Sequence, residues 1–270
     1  MTRKKLLLLI PGVSILLIFL LFAFFPSLFT SYGLKQMDTP WLPISAKHLL
    51  GTDDMGYDIF TELVYAAGHT ITISLVSAVL SLLLGSLIGA LSAVRNAAVR
   101  GAVNAVINVF VMLPKLILVL VLAAFLGRSR QMVILIITLL SWPATAKVVR
   151  AQLLHLHVRP FIRQGVLLGY SPFHNFSRHM LPNLLSVLIP RFLSSISAIM
   201  MMESTLAFLG LGDLYNPSWG TIVNFAYNRG AFLMGAYHYL LSPGLCIALV
   251  SFSLFLISCA FEARSDTVPE

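Results

Sequence analysis

The sequence predicts an all-α polytopic membrane protein with six transmembrane helices, both termini inside, and a short helical connector between spans four and five. Three observations carry this. Hydrophobic residues make up 58% of the 270-residue chain and charged residues only 10%, where a soluble domain is about 25% charged. The apolar residues fall in blocks near the ~20 residues that a helix needs to cross hydrocarbon. The Lys and Arg residues are distributed unevenly between the two sets of polar loops, which the positive-inside rule reads as orientation. A membrane β-barrel requires short alternating segments, and none are seen. The net charge of +8 therefore reads as topology and not as a nucleic-acid surface.

The first span is the apolar run Leu6 to Phe25, preceded by Arg3-Lys4-Lys5. A cleaved signal peptide has a shorter core and a small-residue cleavage site, so residues 1–25 are expected to be a retained transmembrane helix. Residues 26–67 carry Pro26, Pro40 and Pro43 and form an extracytoplasmic loop. A second span runs from about Thr70 to Val94. Its Gly85 and Gly89 have the small-xxx-small spacing that allows close helix approach. The third span, about Ala102 to Leu126, has Pro114-Lys115 near its middle. The fourth runs from Met132 to about Ala146, the fifth from Leu184 to Phe208, and the sixth from Tyr239 to Phe261. Residues 147–183 form the inner segment, 209–238 a second outer loop, and 263–270 a cytoplasmic tail, so that 68–262 is a five-helix core. With this topology twelve Lys/Arg lie inside and five outside, and Lys115 is the eighteenth. Cys246 and Cys259 share one span about 20 Å apart and cannot pair within it.

The polar stretch Arg163 to Asn183 stands apart. It holds Arg163, Arg178 and His179 and no acidic residue. Gly169 breaks it, Ser171-Pro172 is suited to start a helix because proline lacks only an N–H that would be unpaired there, and Pro182 closes it. Pinned between two spans, such a segment can take a push from a soluble partner.

Chemistry-bearing motifs are absent. The chain has no G-x-x-x-x-G-K-[ST] phosphate loop, no H-E-x-x-H and no G-x-S-x-G. His155 and His157 are two apart, the wrong spacing for metal ligands on one helix face. No catalytic residue and no metal site is assigned, which leaves a membrane passage or a non-transporting scaffold.

Three stretches then appear in order on alternating faces: His48-Leu49-Leu50-Gly51-Thr52-Asp53-Asp54-Met55-Gly56-Tyr57-Asp58 outside; Gly169 with Arg178-His179-Met180-Leu181-Pro182-Asn183 inside; and Glu203-Ser204-Thr205-Leu206-Ala207-Phe208-Leu209-Gly210-Leu211-Gly212 followed by Pro217-Ser218-Trp219-Gly220. Together they resemble the C-type permease subunits of the dipeptide/oligopeptide/nickel class of binding-protein-dependent ABC importers, over roughly residues 45–262. The chain departs from that family's pattern at Arg163-Gln164-Gly165, where Glu-Ala-Ala is usual, and at Tyr57, where the outer motif usually has arginine. The resemblance implies a bacterial inner-membrane location and a second homologous permease as heterodimer partner. It also implies two cytoplasmic ATPase subunits that bind ATP and Mg, an extracytoplasmic solute-binding protein, and no cofactor on this chain. It makes the inner segment a coupling helix, with Arg163, Gly169, Tyr170, Ser171, Pro172, Arg178, His179 and Pro182 meeting the ATPase. Peptides are the expected cargo, with nickel or a metal chelate as the alternative.

Single residues follow from position. Lys115 is expected about 20 Å deep, lining the passage or paired with an acid. Glu203, ionisable within a span, faces the bundle or a cavity and either serves the pathway or holds the outer loop. Asp53, Asp54 and Asp58 with His48 read as a capped, docked turn, with metal ligation the alternative. Asp53, Asp58 and Trp219 are expected to contribute to binding-protein docking.

Overall fold

A computed structural model describes residues 3–34, 36–94, 96–160, 162, 164, 169–213 and 215–262. Among them the chain forms nine α-helices: α1 (Arg3–Phe24), α2 (Ile59–Leu91), α3 (Ala97–Met112), α4 (Lys115–Leu126), α5 (Arg130–His157), α6 (Pro172–Asn175), α7 (Leu181–Leu206), α8 (Trp219–Asn228) and α9 (Tyr237–Glu262). No strand ladder occurs among the described residues, only isolated bridges that tie Met37 to Tyr57 and Thr52 to Asp58. By length and apolarity, five segments can cross a membrane, and a sixth if α3 and α4 count as one bent span. The fold is thus all-helical and polytopic, as the composition requires.

The helices begin where local chemistry starts them. Asp58 caps α2 by accepting from the Thr61 N–H at 2.8 Å, so the helix begins at Ile59, well before the apolar block that marks the span in the sequence. Asn96 caps α3 at Ala98 and Val99, and Ser129 caps α5. At 33 residues, α2 is about 50 Å long, more than a bilayer's hydrocarbon needs. α5 runs unbroken to His157 and passes Pro143, so the first part of the inner segment continues the fourth span. Proline inside a membrane helix is tolerated where neighbours satisfy the freed groups.

The third span departs most from expectation. Pro114 ends α3 with Leu113 extended (φ −70°, ψ 135°), and α4 leaves at 85° to it. The hydrophobic block is continuous, but the helix is not: a proline restricts the residue before it to extended backbone.

α2 and α5 run side by side, in parallel, with glycine at the seam. A Cβ on Gly85 would lie 2.6 Å from the Thr145 Cβ, and one on Gly89 2.7 Å from the Ala146 carbonyl oxygen and 2.8 Å from the Val149 Cβ. The Ser81 hydroxyl donates across the same seam to the Thr138 carbonyl at 3.3 Å. The small-residue spacing seen in the sequence is therefore a packing interface. The main core gathers around it, with Ile73, Ala78, Ile136, Ile137, Ile199 and Met200 all buried.

Gly89→Val forces α2 off α5, an overpacking that costs about 1–3 kcal/mol or more. We expect a lower thermal midpoint for the purified protein. Gly101→Ala, at a position with nothing within 4 Å, leaves the midpoint unchanged or slightly raised; equal midpoints for the two variants would show that the seam is slack.

Candidate functional site

Two polar regions sit at opposite ends of the bundle. At the end where α2 and α5 finish, a second small core forms from Val149, Leu153, Leu156, Ile162, Met180, Leu184 and Leu188, with Leu82, Ala90 and Ala93 against it. Through it the connector is fastened to α2, α5 and α7 together. Gly169 holds φ +78°, the left-handed region that glycine alone enters freely. Ser171 then caps α6, its hydroxyl accepting from the His174 N–H at 3.1 Å and its carbonyl from the Asn175 N–H at 3.0 Å. The sequence reading of a helix started at Ser171-Pro172 matches this cap.

α6 does not end before the fifth span. A π-helical turn, Phe176–Met180, joins it directly to α7, and Pro182 sits in the first turn of α7 instead of closing the connector. A bend made this way leaves α6 rigidly continuous with the span. Tyr170, Ser171, His174, Ser177 and Arg178 are exposed, His179 is partly exposed, and Met180 and Asn175 are buried. The rings of Tyr170 and His174 lie 4.8 Å apart and those of His174 and His179 6.1 Å apart. The result is a polar, aromatic face on an apolar anchor. Arg163 lies outside the described residues, as does the 263–270 tail.

At the other end the 26–58 segment is held by carboxylates. The Asp53 Oδ1 accepts from the N–H groups of Met55 (2.9 Å) and Tyr57 (2.7 Å). Burial pushes its carboxyl up in pKa against the pull of those bonds. Asp58 caps α2 and bonds His48 Nδ1 at 2.9 Å, while His48 Nε2 faces Asp38 at 3.4 Å and Tyr32 stacks on the ring. Asp38 is brought down to about 2, first by its bond from Lys47 and next by the Thr39 N–H. Arg229 reaches over from the far side of the second loop to Asp54 (3.1 Å) and Asp53 (3.5 Å) and lies 4.0 Å over the Phe225 ring. It supplies the cation to these two aspartates.

Asp53, Asp58 and Trp219 are correspondingly interior: Trp219 is fully buried, its Nε1–H donating to the Leu63 carbonyl at 2.9 Å and its N–H to the Thr70 hydroxyl at 3.0 Å. These three build the loop and do not present a surface. The expected docking contacts are corrected on that ground, because a fully buried side chain has no face to offer. Exposed side chains at this end include Leu49, Tyr215, Phe232 and Leu233. Glu203 is buried as well, with the Ser204 hydroxyl 3.3 Å from its Oε2 and Ser218 beside it, so it ties α7 to the turn before α8. Lys115 opens α4 at the break, half-buried. The charge acting on it is a second cation, Arg191 of α7. Sequence spacing gives no signal for this approach of two cations, because Lys115 and Arg191 are 76 positions apart.

Residues 81–266 match the family described as "Binding-protein-dependent transport system inner membrane component". The chain belongs to that family. This permease is 29% identical over 270 residues to a dipeptide transport system permease protein of Alkalihalophilus pseudofirmus, covering 97% of this chain and 86% of the relative. It is 28% identical over 227 residues to one from Bacillus subtilis, covering 83% and 70%. A relative from Brucella suis biovar 1, named as a peptide permease, is 30% identical over 226 residues, covering 82% and 75%. In fold the permease is similar to a methionine ABC transporter chain solved in an inward-facing conformation, with a TM-score of 0.59 at 20% identity over 75% of this chain and 96% of the other. It is a multi-pass component of the bacterial inner membrane and an ABC-importer permease.

Asp58→Ala removes the cap of α2 and leaves Nδ1 of buried His48 without its partner, a loss of about 2 kcal/mol or more. We expect the thermal midpoint of the purified permease to fall by several degrees, with Asp58→Asn falling less because the amide oxygen still caps. An Ala variant as stable as the parent would show that the loop is not held here.

Proposed function

We propose that this permease forms half of the passage through which an ATP-driven importer moves short peptides, handed over on the extracytoplasmic side by a solute-binding protein. The other half is a second homologous permease, and two cytoplasmic subunits bind Mg and ATP and hydrolyse the nucleotide. The names of the relatives support the cargo class. The observation that carries the mechanism is the connector: an exposed polar face on 170–179, seated on an apolar anchor common to α2, α5 and α7. The positive-inside rule puts that end in the cytoplasm.

The mechanics follow from stiffness. When ATP binding draws the soluble subunits together, each displaces the segment seated on it. α6 is bonded through the π-helical turn into α7, and Met180 is packed among α5 side chains. Displacement of α6 therefore tilts the helices as a group and does not merely bend a loop. Closely packed elements move as rigid bodies between discrete arrangements, which opens the passage alternately to each side. Lys115 and Arg191, adjacent cations at the α3–α4 break, are proposed to face that passage and to meet the carboxylate of a passing peptide. Glu203 serves it indirectly by fixing the outer turn.

Gly169→Pro is incompatible with φ +78°, since proline holds φ near −65°. We expect the variant to insert in the membrane but to lose co-purification of the ATPase subunits and uptake of labelled dipeptide in cells. If the ATPases remain bound and uptake continues, the connector is not the coupling element. If no ATPase co-purifies with the unaltered permease, it is a scaffold and not a transporter.

A further inference from the structure

A cleft of about 290 Å³ opens at the end of the bundle opposite the connector. Leu34, Tyr65, His69, Arg130, Tyr215 and Asn216 are among the residues that line it. Four chain segments far apart in sequence meet there: the first loop, the second and third turns of α2, the start of α5 and the turn before α8.

Its polar groups are arranged for a ligand. His69 is only 9% exposed, and its Nε2 has no hydrogen-bond partner among the described residues. A polar atom buried unpaired is costly, and a bound group at the cleft floor would relieve that. Arg130 is the first residue of α5, so its guanidinium adds to the positive end of a 28-residue helix dipole. No carboxylate lies within ion-pair distance of it among the described residues. Asp213 lies in the turn before α8. Its own oxygens take the N–H groups of Tyr215 (2.9 Å) and Asn216 (3.3 Å) and the Asn216 side-chain amide (3.2 Å), which fixes the turn that carries two of the lining residues. The cleft is therefore cationic toward α5, with Asn216, two tyrosine side chains and Leu34 around the rest of its wall.

We propose that this cleft is a binding site for a free dipeptide on the permease itself. The ligand's carboxylate meets Arg130 and the Nε2–H tautomer of His69, the two basic groups that line the cleft. Size selects the ligand: the volume is at the lower edge of the ~300–1,000 Å³ common for small-ligand pockets, and two extended residues span at most about 7 Å. The guanidinium fork pairs with a carboxylate bidentately, which an amidated C-terminus cannot reproduce. The inference rests on the peptide reading of the cargo and adds to it a receiving site at the mouth of the permease.

The test uses the complete transporter in lipid nanodiscs without its solute-binding protein, so that recognition by that protein does not enter. Saturation-transfer NMR reads binding of Ala-Phe and of Ala-Phe amide. We expect signal from Ala-Phe, and a loss of roughly tenfold in affinity both for the amide and for Ala-Phe on Arg130→Gln. His69→Gln, which keeps a side-chain donor, is expected to fall between. Arg130 is exposed and the Ser129 cap remains, so Arg130→Gln is expected to fold; unchanged ATPase co-purification checks this. Equal binding of acid and amide, or equal binding to Arg130→Gln, overturns the proposal. So does native mass spectrometry showing phosphatidylethanolamine retained by the parent and lost from Arg130→Gln while Ala-Phe binding is the same, since the zwitterion in the cleft is then a lipid headgroup. Uptake of Ala-Phe by cells expressing all subunits separates the two readings. Uptake with no Arg130 effect on binding removes the cleft alone, and absence of uptake by the unaltered transporter removes peptide cargo.

Discussion

The seam between α2 and α5 is the constraint on which the other features of the permease depend. Helices in lipid gain no hydrophobic energy from meeting one another, so their association rests on close packing. Gly85 and Gly89 let α5 come so near that a single added methyl would strike a carbonyl oxygen or a Cβ. Because the two helices are held along their length, the polar structures at their two ends are held to one another as well. The loop clasp at one end begins at the Asp58 cap of α2, and the apolar anchor of the connector at the other includes Ala90 beside Val149.

The two ends are built by different physics. The loop end is rigid through charge and hydrogen bonding: buried carboxylates hold backbone N–H groups, His48 lies between two aspartates, and Arg229 joins the loops. Trp219 then locks the second loop into the bundle through Phe19, whose ring meets it edge-on at 5.5 Å. The connector end is rigid through apolar packing beneath an exposed polar face. The proposed cycle, with cargo taken at one end and mechanical work at the other, needs both ends stiff. The middle differs: α3 and α4 break at 85° and expose Val109, Met112, Ile117 and Phe125, a surface open to lipid or to a second permease.

Much of this was legible in the sequence, because span length is a direct consequence of the bilayer. The glycine spacing of α2, the start of α6 at Ser171-Pro172 and the capped turn around Asp58 were legible for the same kind of reason: local stereochemistry decides them. What was not legible depends on tertiary placement. Pro114 lies in an apolar block whose composition is the same whether the helix bends or stops. Trp219 is one more aromatic in an aromatic-rich loop until its indole N–H is seen to donate to Leu63. Arg229 is 175 residues from Asp54, and His69 takes its meaning from Arg130 and Asn216 across the cleft. Pro182 was read as closing the connector, because a π-helical turn that carries the chain straight into α7 leaves no mark in residue type.

Force transfer through the connector can be measured by placing a benzophenone amino acid at Ser171 in the assembled transporter and irradiating it with and without ATP trapping. Coupling through this segment predicts a cross-link to an ATPase subunit whose yield changes on trapping, with no such product from the same probe at Tyr215. Cross-links confined to the permease, or an ATPase product from Tyr215 and none from Ser171, would show that the connector does not receive the push.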